Sequence, residues 1–163
     1  MIRQSMRVMA GMSVVVSAVV SPRTAAAQES VPSLVRSAAP DWPQWRGPCR
    51  DGVSGEKGLL QSWPENGPKL LWKISGIGRG YSSPIIVAER VYITGDQDKE
   101  LVISAFSLDG KPLWKTANGE SWTKSHPGAR SSCSFDDGKL YHMNAHGILA
   151  CLDAATGGKV WAA

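Results

Sequence analysis

From Tyr81 onward, short runs of β-branched and aromatic residues alternate with clusters of Gly, Asp and Asn. Val, Ile, Tyr and Phe favour strands, and the residues between the runs favour tight turns. This spacing predicts short antiparallel strands joined by hairpins. The first four predicted strands are 81–87, 90–94, 101–106 and 112–116.

The same order of strands and turns then occurs a second time. The predicted strands of the second unit are 130–135, 139–143, 148–152 and 159–161. Tyr92 and Tyr141 stand 49 positions apart, and Trp114 and Trp161 stand 47 positions apart. The chain therefore contains an internal repeat in which each unit has four strands.

A repeat of this length with four strands in each unit is typical of β-propeller blades. We therefore predict an all-β fold with two complete blades, 81–117 and 129–163, each a sheet of four antiparallel strands. Residues 69–75 (KLLWKIS) are predicted to form one orphan outer strand, because Trp72 precedes Trp114 by 42 positions. A single eight-stranded sandwich is the alternative.

Residues 41–68 precede this partial propeller, 69–163, and are rich in Trp, Pro and Gly. Pro and Gly at such density exclude a regular helix or a central strand. Because the indoles of Trp42 and Trp45 are largely apolar, we expect this N-terminal arm to lie extended over the folded surface. A structural strap is favoured over an arm that lines a ligand site.

Residues 1–27 have the features of a secretory signal peptide. A cationic start is followed by an apolar run, 8–20, and by small residues at 25–27 that suit cleavage before Gln28. The apolar run is short for a membrane span, and an uncleaved anchor or a buried helix is the alternative. Residues 28–40 are predicted to be a disordered linker. The mature protein is therefore expected to be periplasmic or secreted.

The predicted leader also accounts for most of the positive charge. The chain has 18 Lys and Arg against 14 Asp and Glu, a formal net charge of +4. Removing Arg3, Arg7 and Arg23 leaves 15 basic residues against 14 acidic ones. The mature chain then has no basic stripe, so nucleic acid is not an expected partner.

The closing hairpin of the second unit has the clearest turn chemistry. Asp153 can accept hydrogen bonds from backbone N–H groups two or three residues on, and Gly157 can supply a positive φ. Trp161 can then bury its ring against a neighbouring sheet. The residues expected to have structural roles of this kind are Trp72, Trp114, Asp153, Thr156, Gly157 and Trp161.

Candidate ligand contacts lie near the start of the first strand of each blade. In a propeller these positions face the central channel, where polar side chains could hold an anionic or polar ligand. The residues are Arg79, Tyr81, Ser82, Arg130 and Ser131. Hydrogen bonding around a water-filled channel is the favoured alternative.

The cysteines and histidines form no recognisable catalytic or metal motif. Cys49, Cys133 and Cys151 are widely spaced, and we interpret them as buried single thiols rather than as a disulfide plus one free thiol. His142 and His146 are expected on a strand and its turn, with no obvious third metal ligand. No catalytic residue or metal ligand is assigned.

Two loops have compositions that could bind an ion, but a loop without a bound ion explains each of them more simply. Asp96, Asp98 and Glu100 could surround a hard cation, although a solvated hairpin loop is favoured. The glycine-rich run 76–80 precedes no helical pattern, so the sequence does not favour a phosphate-binding loop there.

The closing hairpins resemble the tryptophan-docking motif of quinoprotein-type propellers, Ala-x-Asp-x-x-Thr-Gly-x-x-x-Trp. The copy at 151–161 keeps the Asp, Thr, Gly and Trp positions, and the copy at 105–114 is one residue shorter with Ser107 at the Asp position. The segments WPQWRGP, GYSSP and GARSS also resemble the exported PQQ-like propeller proteins of planctomycete-type bacteria. The chain is therefore identified as an N-terminal part of a protein of this family.

The resemblance implies a non-catalytic, exported binding or scaffold module with a protein or polysaccharide partner in the envelope. Such a module is similar in fold to the scaffold lipoproteins of outer-membrane barrel assembly, although no Cys near residues 18–30 could carry a lipid. No cofactor is expected, and no membrane span after signal cleavage. The alternative is the N-terminal part of a quinoprotein alcohol or sugar dehydrogenase that uses PQQ and Ca²⁺. A weaker third hypothesis is an accessory domain of carbohydrate-active enzymes or sulfatases.

A propeller ring needs at least about four blades, so we interpret the chain as a truncated precursor or fragment. We expect the coding sequence downstream of Ala163 to continue with further repeats of the tryptophan-docking type. Reading that sequence tests the interpretation, and a native stop codon directly after Ala163 would contradict it.

Overall fold

The computed structural model describes residues 41–163, so the predicted signal peptide, 1–27, and linker, 28–40, lie outside the described residues. The described chain forms two four-stranded antiparallel sheets with strand orders β1-β2-β3-β4 and β5-β6-β7-β8. The prediction of an all-β fold with four-stranded blades is confirmed. The strands are β1 (Ile85–Val87), β2 (Arg90–Gln97), β3 (Glu100–Ser107), β4 (Pro112–Glu120), β5 (Ser134–Asp136), β6 (Lys139–Met143), β7 (Leu149–Asp153) and β8 (Lys159–Ala162).

The two sheets carry the same row of side chains across their last three strands. The paired residues are Tyr92, Ala105 and Trp114 in the first sheet, and Tyr141, Cys151 and Trp161 in the second. The Tyr and Trp ring centroids of these rows are 5.8 Å apart in the first sheet and 6.2 Å apart in the second. The sequence repeat is therefore also a repeat of register and of side-chain position.

The β2–β3 hairpin is longer than the sequence pattern predicts. Residues 95–100 were expected to form a polar turn, but the ladder continues until Gln97 pairs with Glu100. Asp98 has a φ of 53°, a left-handed conformation that Asp tolerates better than most residues. A two-residue turn is therefore enough, and the polar residues before it belong to strand β2.

The first strand of each sheet is shorter than predicted, since β1 begins at Ile85 and β5 at Ser134. Pro84 has no N–H to donate to a ladder. The residues before it bond to the other unit instead, because Tyr81 N–H donates to the Ala129 carbonyl at 2.7 Å and Ser83 N–H donates to Ser132 Oγ at 2.9 Å. The segments that precede the two sheets therefore connect them.

The prediction of an orphan outer strand at 69–75 is wrong, because this segment pairs with no strand among the described residues. Leu70 and Leu71 are consequently exposed. Only Trp72 is anchored: its Nε1–H donates to the Leu108 carbonyl at 2.8 Å. Its indole also lies so close to Gly110 that an added Cβ would be 2.9 Å from Cδ2.

The N-terminal arm begins by crossing the edges of both sheets. Trp42 N–H donates to the Ile86 carbonyl of β1 at 2.7 Å, and Phe135 N–H of β5 donates to the Pro43 carbonyl at 2.8 Å. The arm then turns away at Arg46, whose φ is 65°. The expectation that both indoles are covered is therefore wrong for Trp45, which remains 59% exposed.

The hydrophobic core lies between the two sheets. Its residues come from the inner faces of both, and the fully buried ones are Ile85, Ile103, Ala105, Leu140, Ala150 and Leu152. Tyr92 is also buried there, and its hydroxyl donates to the Ala154 carbonyl at 3.0 Å. The two blades thus share one core, and neither has a separate one.

The turn between β7 and β8, residues 153–158, is held by one carboxylate. Asp153 Oδ1 accepts hydrogen bonds from Thr156 Oγ1 at 2.9 Å, from Thr156 N–H at 3.0 Å and from Ala155 N–H at 3.1 Å. The bonds from Thr156, and the nearby Lys139 ammonium, hold the pKa of Asp153 below its usual range. Gly157 follows with a φ of 73°, a conformation that costs a glycine little.

Trp114 of the first sheet lies against this turn of the second sheet. Its Nε1–H donates to the Ala154 carbonyl at 3.2 Å, and Thr116 Oγ1 donates to the Gly157 carbonyl at 2.7 Å. An added Cβ at Gly157 would come within 2.5 Å of the Trp114 ring. We refer to residues 153–158, and to the corresponding turn 107–111 that contacts Trp72, as docking turns.

A polar seam accompanies the core between β4 and β6. Asn118 Nδ2 donates to the His142 carbonyl at 3.1 Å and lies 3.0 Å from His142 Nδ1, while Asn144 Nδ2 donates to the Asn118 carbonyl at 2.8 Å. Burial lowers the pKa of His142 to about 4, and the Ser131 carbonyl opposes this shift more weakly. The seam therefore holds a neutral imidazole at neutral pH.

We predict that Gly157→Ala destabilises the protein more than Gly138→Ala. Both glycines have nearly the same φ, 73° and 72°, so either alanine costs about 1 kcal/mol of backbone strain. Only at Gly157 does the new Cβ also displace an indole, which adds about 1–3 kcal/mol. Urea unfolding of both variants measures the difference in free energy of unfolding, and equal losses would show that the docking contact contributes nothing.

We also predict that the free energy of unfolding falls as the pH drops from about 6.5 towards 4. In this range the unfolded chain binds a proton at His142 that the folded chain does not, so stability is lost as the pH decreases. The full effect approaches about 3 kcal/mol. Urea midpoints measured across this range should change less in His142→Gln than in the parent. The exposed His126→Gln is the control and should retain the parental pH dependence.

Candidate functional site

The loop that links the two sheets, residues 121–130, is organised around Trp122. Trp122 N–H donates to Asp96 Oδ2 at 3.0 Å, which ties the loop to the end of β2. Its indole Nε1–H donates to the Ser125 carbonyl at 2.9 Å, and its ring meets the His146 imidazole edge-on at 5.6 Å. A partly buried aromatic ring is thus held in a fixed orientation beside both blades.

Two cations flank the same indole. Lys124 Nζ and the Arg130 guanidinium carbon each lie 5.6 Å from the Trp122 ring centroid, a distance that permits cation–π attraction. Arg130 Nη2 also donates to the Ser125 carbonyl and, at 3.0 Å, to the His126 carbonyl. These contacts fix the guanidinium at the surface of the loop.

Arg130 shares an open pocket with Tyr81 and His126. Tyr81 is 61% exposed, so its ring is accessible from solvent. Phenol, imidazole and guanidinium groups all donate hydrogen bonds, and a guanidinium binds carboxylates in a bidentate manner. The chemistry of this pocket suits an anionic or aromatic group of a ligand.

A second pocket lies on the side of the loop towards β2, and Arg79, Asp96 and Asp98 line it together with Trp122. Burial raises the pKa of Asp96, while the Trp122 N–H and the charge of His146 oppose that shift. Among the described residues, Asp96 Oδ1 has no hydrogen-bond partner. This pocket carries both signs of charge, unlike the pocket at Tyr81.

The structure places the five sequence-predicted ligand contacts in three different settings. Tyr81 and Arg130 share one pocket, and Arg79 lines the other. Ser82 Oγ donates to the Thr94 carbonyl at 2.9 Å, and the Ser131 carbonyl accepts from Thr94 Oγ1 at 2.9 Å. Both serines therefore bond to Thr94 of β2, Ser82 through its side chain and Ser131 through its backbone carbonyl.

Trp122 and His126 were missed by the sequence analysis as site residues. The segment 121–130 matches no strand of the repeat, so the repeat pattern could not predict where this segment lies in the fold. A single Trp among Ser, Lys and Gly residues was the one available signal, since an indole in a polar loop is costly unless it packs against something.

The carboxylates and imidazoles considered for metal binding do not come together. Asp96 belongs to β2, Asp98 to the following turn and Glu100 to β3. His142 is buried in the polar seam, whereas His146 contacts Trp122. Within residues 41–163, no three His, Cys, Asp or Glu side chains converge on one point. The three carboxylates and two histidines therefore do not form a metal-binding cluster in the described part of the chain.

The cysteines are three free thiols. Cys133 and Cys151 are buried, as expected, but Cys49 is exposed on the arm, which corrects the expectation of three buried thiols. Burial raises the pKa of the Cys133 thiol to about 12, so it stays protonated and unreactive at neutral pH.

The glycine-rich run 76–80 has a packing function in the structure. An added Cβ at Gly78 would lie 2.5 Å from the Asp96 carbonyl oxygen, and one at Gly95 would lie 2.3 Å from the Ile77 carbonyl oxygen. Backbone therefore packs directly on backbone here, which explains Gly78 and Gly95 without an anion. In the described part of the chain, no helix has the length and apolar character needed to cross a membrane.

Comparison with known proteins gives a family and likenesses to solved structures. Among curated proteins, none matches this sequence. A solved structure described as "Europium-containing methanol dehydrogenase" is 17% identical, with a TM-score of 0.45, over 58% of this chain and 18% of that one. The chain thus spans less than a fifth of that structure. Residues 52–163, more than half of the chain, match the PQQ-like repeat family described as "Outer membrane protein assembly factor BamB", and the chain belongs to this family.

Proposed function

We propose that this chain is a non-catalytic scaffold module that binds a protein partner in the cell envelope. The observation that carries the proposal is the pocket formed by Tyr81, His126 and Arg130, next to the cation-flanked ring of Trp122. The family description, which names an outer membrane protein assembly factor, supports a protein as the partner.

The side chains of this surface are those that contribute most at protein interfaces. Trp, Tyr and Arg are enriched among residues whose truncation weakens binding strongly. Both hydrogen bonds of Arg130 use Nη2, and no acceptor in the described residues bonds its Nε or Nη1. A carboxylate of the partner can therefore approach the guanidinium, while an apolar side chain covers Tyr81.

We infer that the partner presents an acidic or C-terminal carboxylate beside an apolar residue. Arg130 and Lys124 give the Trp122 surface a positive character, and complementary charge speeds association and excludes wrong partners. The signal-peptide pattern of residues 1–27 supports a periplasmic or secreted location for this encounter.

The experiment is site-specific photocrosslinking in intact cells. A photoreactive residue at Tyr81 should crosslink to an envelope protein, and one at Asp137, an exposed residue in the β5–β6 turn, should not. Tyr81→Ala and Arg130→Glu should each weaken binding of the captured protein by about tenfold or more. Lys159→Glu, an exposed charge change on β8, is the matched control and should leave binding unchanged.

Two results would contradict the proposal. Equal crosslinking from Tyr81 and Asp137 would show that the pocket is not the contact surface. Reduction of a dye by the full chain in the presence of PQQ, Ca²⁺ and an alcohol would show a dehydrogenase. We expect neither result.

A further inference from the structure

The two walls of the pocket at Tyr81 come from backbone segments that lie side by side. Tyr81 N–H donates to the Ala129 carbonyl at 2.7 Å, and Ala129 N–H donates to the Arg79 carbonyl at 3.1 Å. An added Cβ at Gly80 would lie 2.9 Å from the Ala129 carbonyl oxygen, so the two backbones are in direct contact. The backbone thus fixes where Tyr81 and Arg130 begin, but it does not fix where the Arg130 guanidinium lies.

The guanidinium is held by the loop 121–130, where it shares an acceptor with the indole of Trp122. The Ser125 carbonyl accepts from Arg130 Nη2 and, at 2.9 Å, from Trp122 Nε1–H. Arg130 Nη2 also donates to the His126 carbonyl at 3.0 Å. A shift of the indole would therefore move the Ser125 carbonyl, and the guanidinium would move with it.

The start of this loop is bonded to the β2–β3 hairpin. Trp122 N–H donates to Asp96 Oδ2 at 3.0 Å. The preceding residue, Ser121, donates through its N–H to the Lys99 carbonyl at 2.9 Å and through its Oγ to the Asp98 carbonyl at 3.3 Å. Asp96 accepts through its side chain, whereas the other two acceptors are backbone carbonyls. A substitution at Asp96 can therefore remove one bond of this set and leave the other two in place.

The surroundings of the Asp96 carboxylate oppose its charge. Burial raises the pKa of Asp96, and the Trp122 N–H and the charge of His146 oppose this shift. Oδ2 accepts from Trp122, but Oδ1 has no hydrogen-bond partner among the described residues. A carboxylate that loses water and gains one hydrogen bond costs free energy. Stability therefore does not explain an aspartate here, whereas the placement of Trp122 does.

We propose that Asp96 is a positioning residue for the binding surface. Its carboxylate holds Trp122, and the Trp122 indole holds the Ser125 carbonyl. This carbonyl in turn keeps the Arg130 guanidinium in the pocket that it shares with Tyr81. Asp96 itself lines the neighbouring pocket, so it acts through Trp122 and does not touch the ligand. The inference rests on the proposed function, because it assigns Asp96 to the surface proposed to bind the partner.

Two variants of the full chain separate the acceptor oxygen from the charge. Asp96→Asn keeps an oxygen that can accept from Trp122 N–H, whereas Asp96→Leu has a similar size and no acceptor. The Trp122 amide hydrogen should exchange with solvent at least about tenfold faster in Asp96→Leu than in the parent, and at about the parental rate in Asp96→Asn. Nuclear magnetic resonance of the isotope-labelled chain measures these rates without any ligand.

The same spectra measure binding of N-acetylphenylalanine, a probe that carries a carboxylate beside an apolar side chain. Asp96→Asn should bind it within about twofold of the parental affinity, and Asp96→Leu should bind it at least about fivefold more weakly. Glu100→Leu removes an exposed carboxylate from the same hairpin, and as the matched control it should keep both parental values. Asp96→Ala removes the same acceptor and replaces Asp96→Leu if the leucine variant loses its circular dichroism spectrum.

Two outcomes would overturn the proposal. One is a Trp122 amide that exchanges at the parental rate in Asp96→Leu. The other is equal weakening of probe binding by Asp96→Asn and Asp96→Leu, which would assign the effect to the charge and not to the acceptor. A parent that does not bind N-acetylphenylalanine would count against the proposed function alone, since the exchange rates decide without a ligand whether Asp96 positions Trp122.

Discussion

The described structure depends on one contact, that of the Trp114 indole with the docking turn of the following blade. Its N–H bonds to Ala154, and its ring lies where Gly157 has no side chain. The same Ala154 carbonyl accepts from Tyr92, so the core and the indole share one anchor. The spacing of the two sheets, and with it the buried core between them, is thus set by the combination of a carboxylate-held turn and a large planar ring.

Much of this arrangement could be predicted from the sequence, because periodicity and turn chemistry are local properties. The eight strands in two sheets can be predicted from the alternation of strand-forming runs with turn residues, and from turn sequences such as Asp153 to Gly157. The extent of β2 did not follow, because the Asp96 carboxylate gains a partner from Trp122, which lies 26 positions later. The segment 69–75 also failed as a strand, since a strand needs a neighbouring strand as well as a suitable sequence.

Only part of the candidate site could be predicted from the sequence in the same way. Tyr81 and Arg130 stand at equivalent positions of the two repeats, so the repeat alone indicates them. Trp122 and His126 lie in a connection that has no counterpart in the repeat, and their placement depends on contacts with Asp96 and Arg130. Loops that carry function vary independently of the scaffold that holds them, which is why periodicity predicted the blades better than the pocket.

The crossing of the arm over β1 and β5 has a consequence for the order of folding. The bond from Phe135 to the Pro43 carbonyl joins residues 92 positions apart, and Trp42 pairs with Ile86 at the same crossing. Such distant contacts are slow to form, and this one needs both sheet edges in place first. The arm should therefore be the last part of the described chain to acquire protection against hydrogen exchange during refolding, after the two blades have already associated.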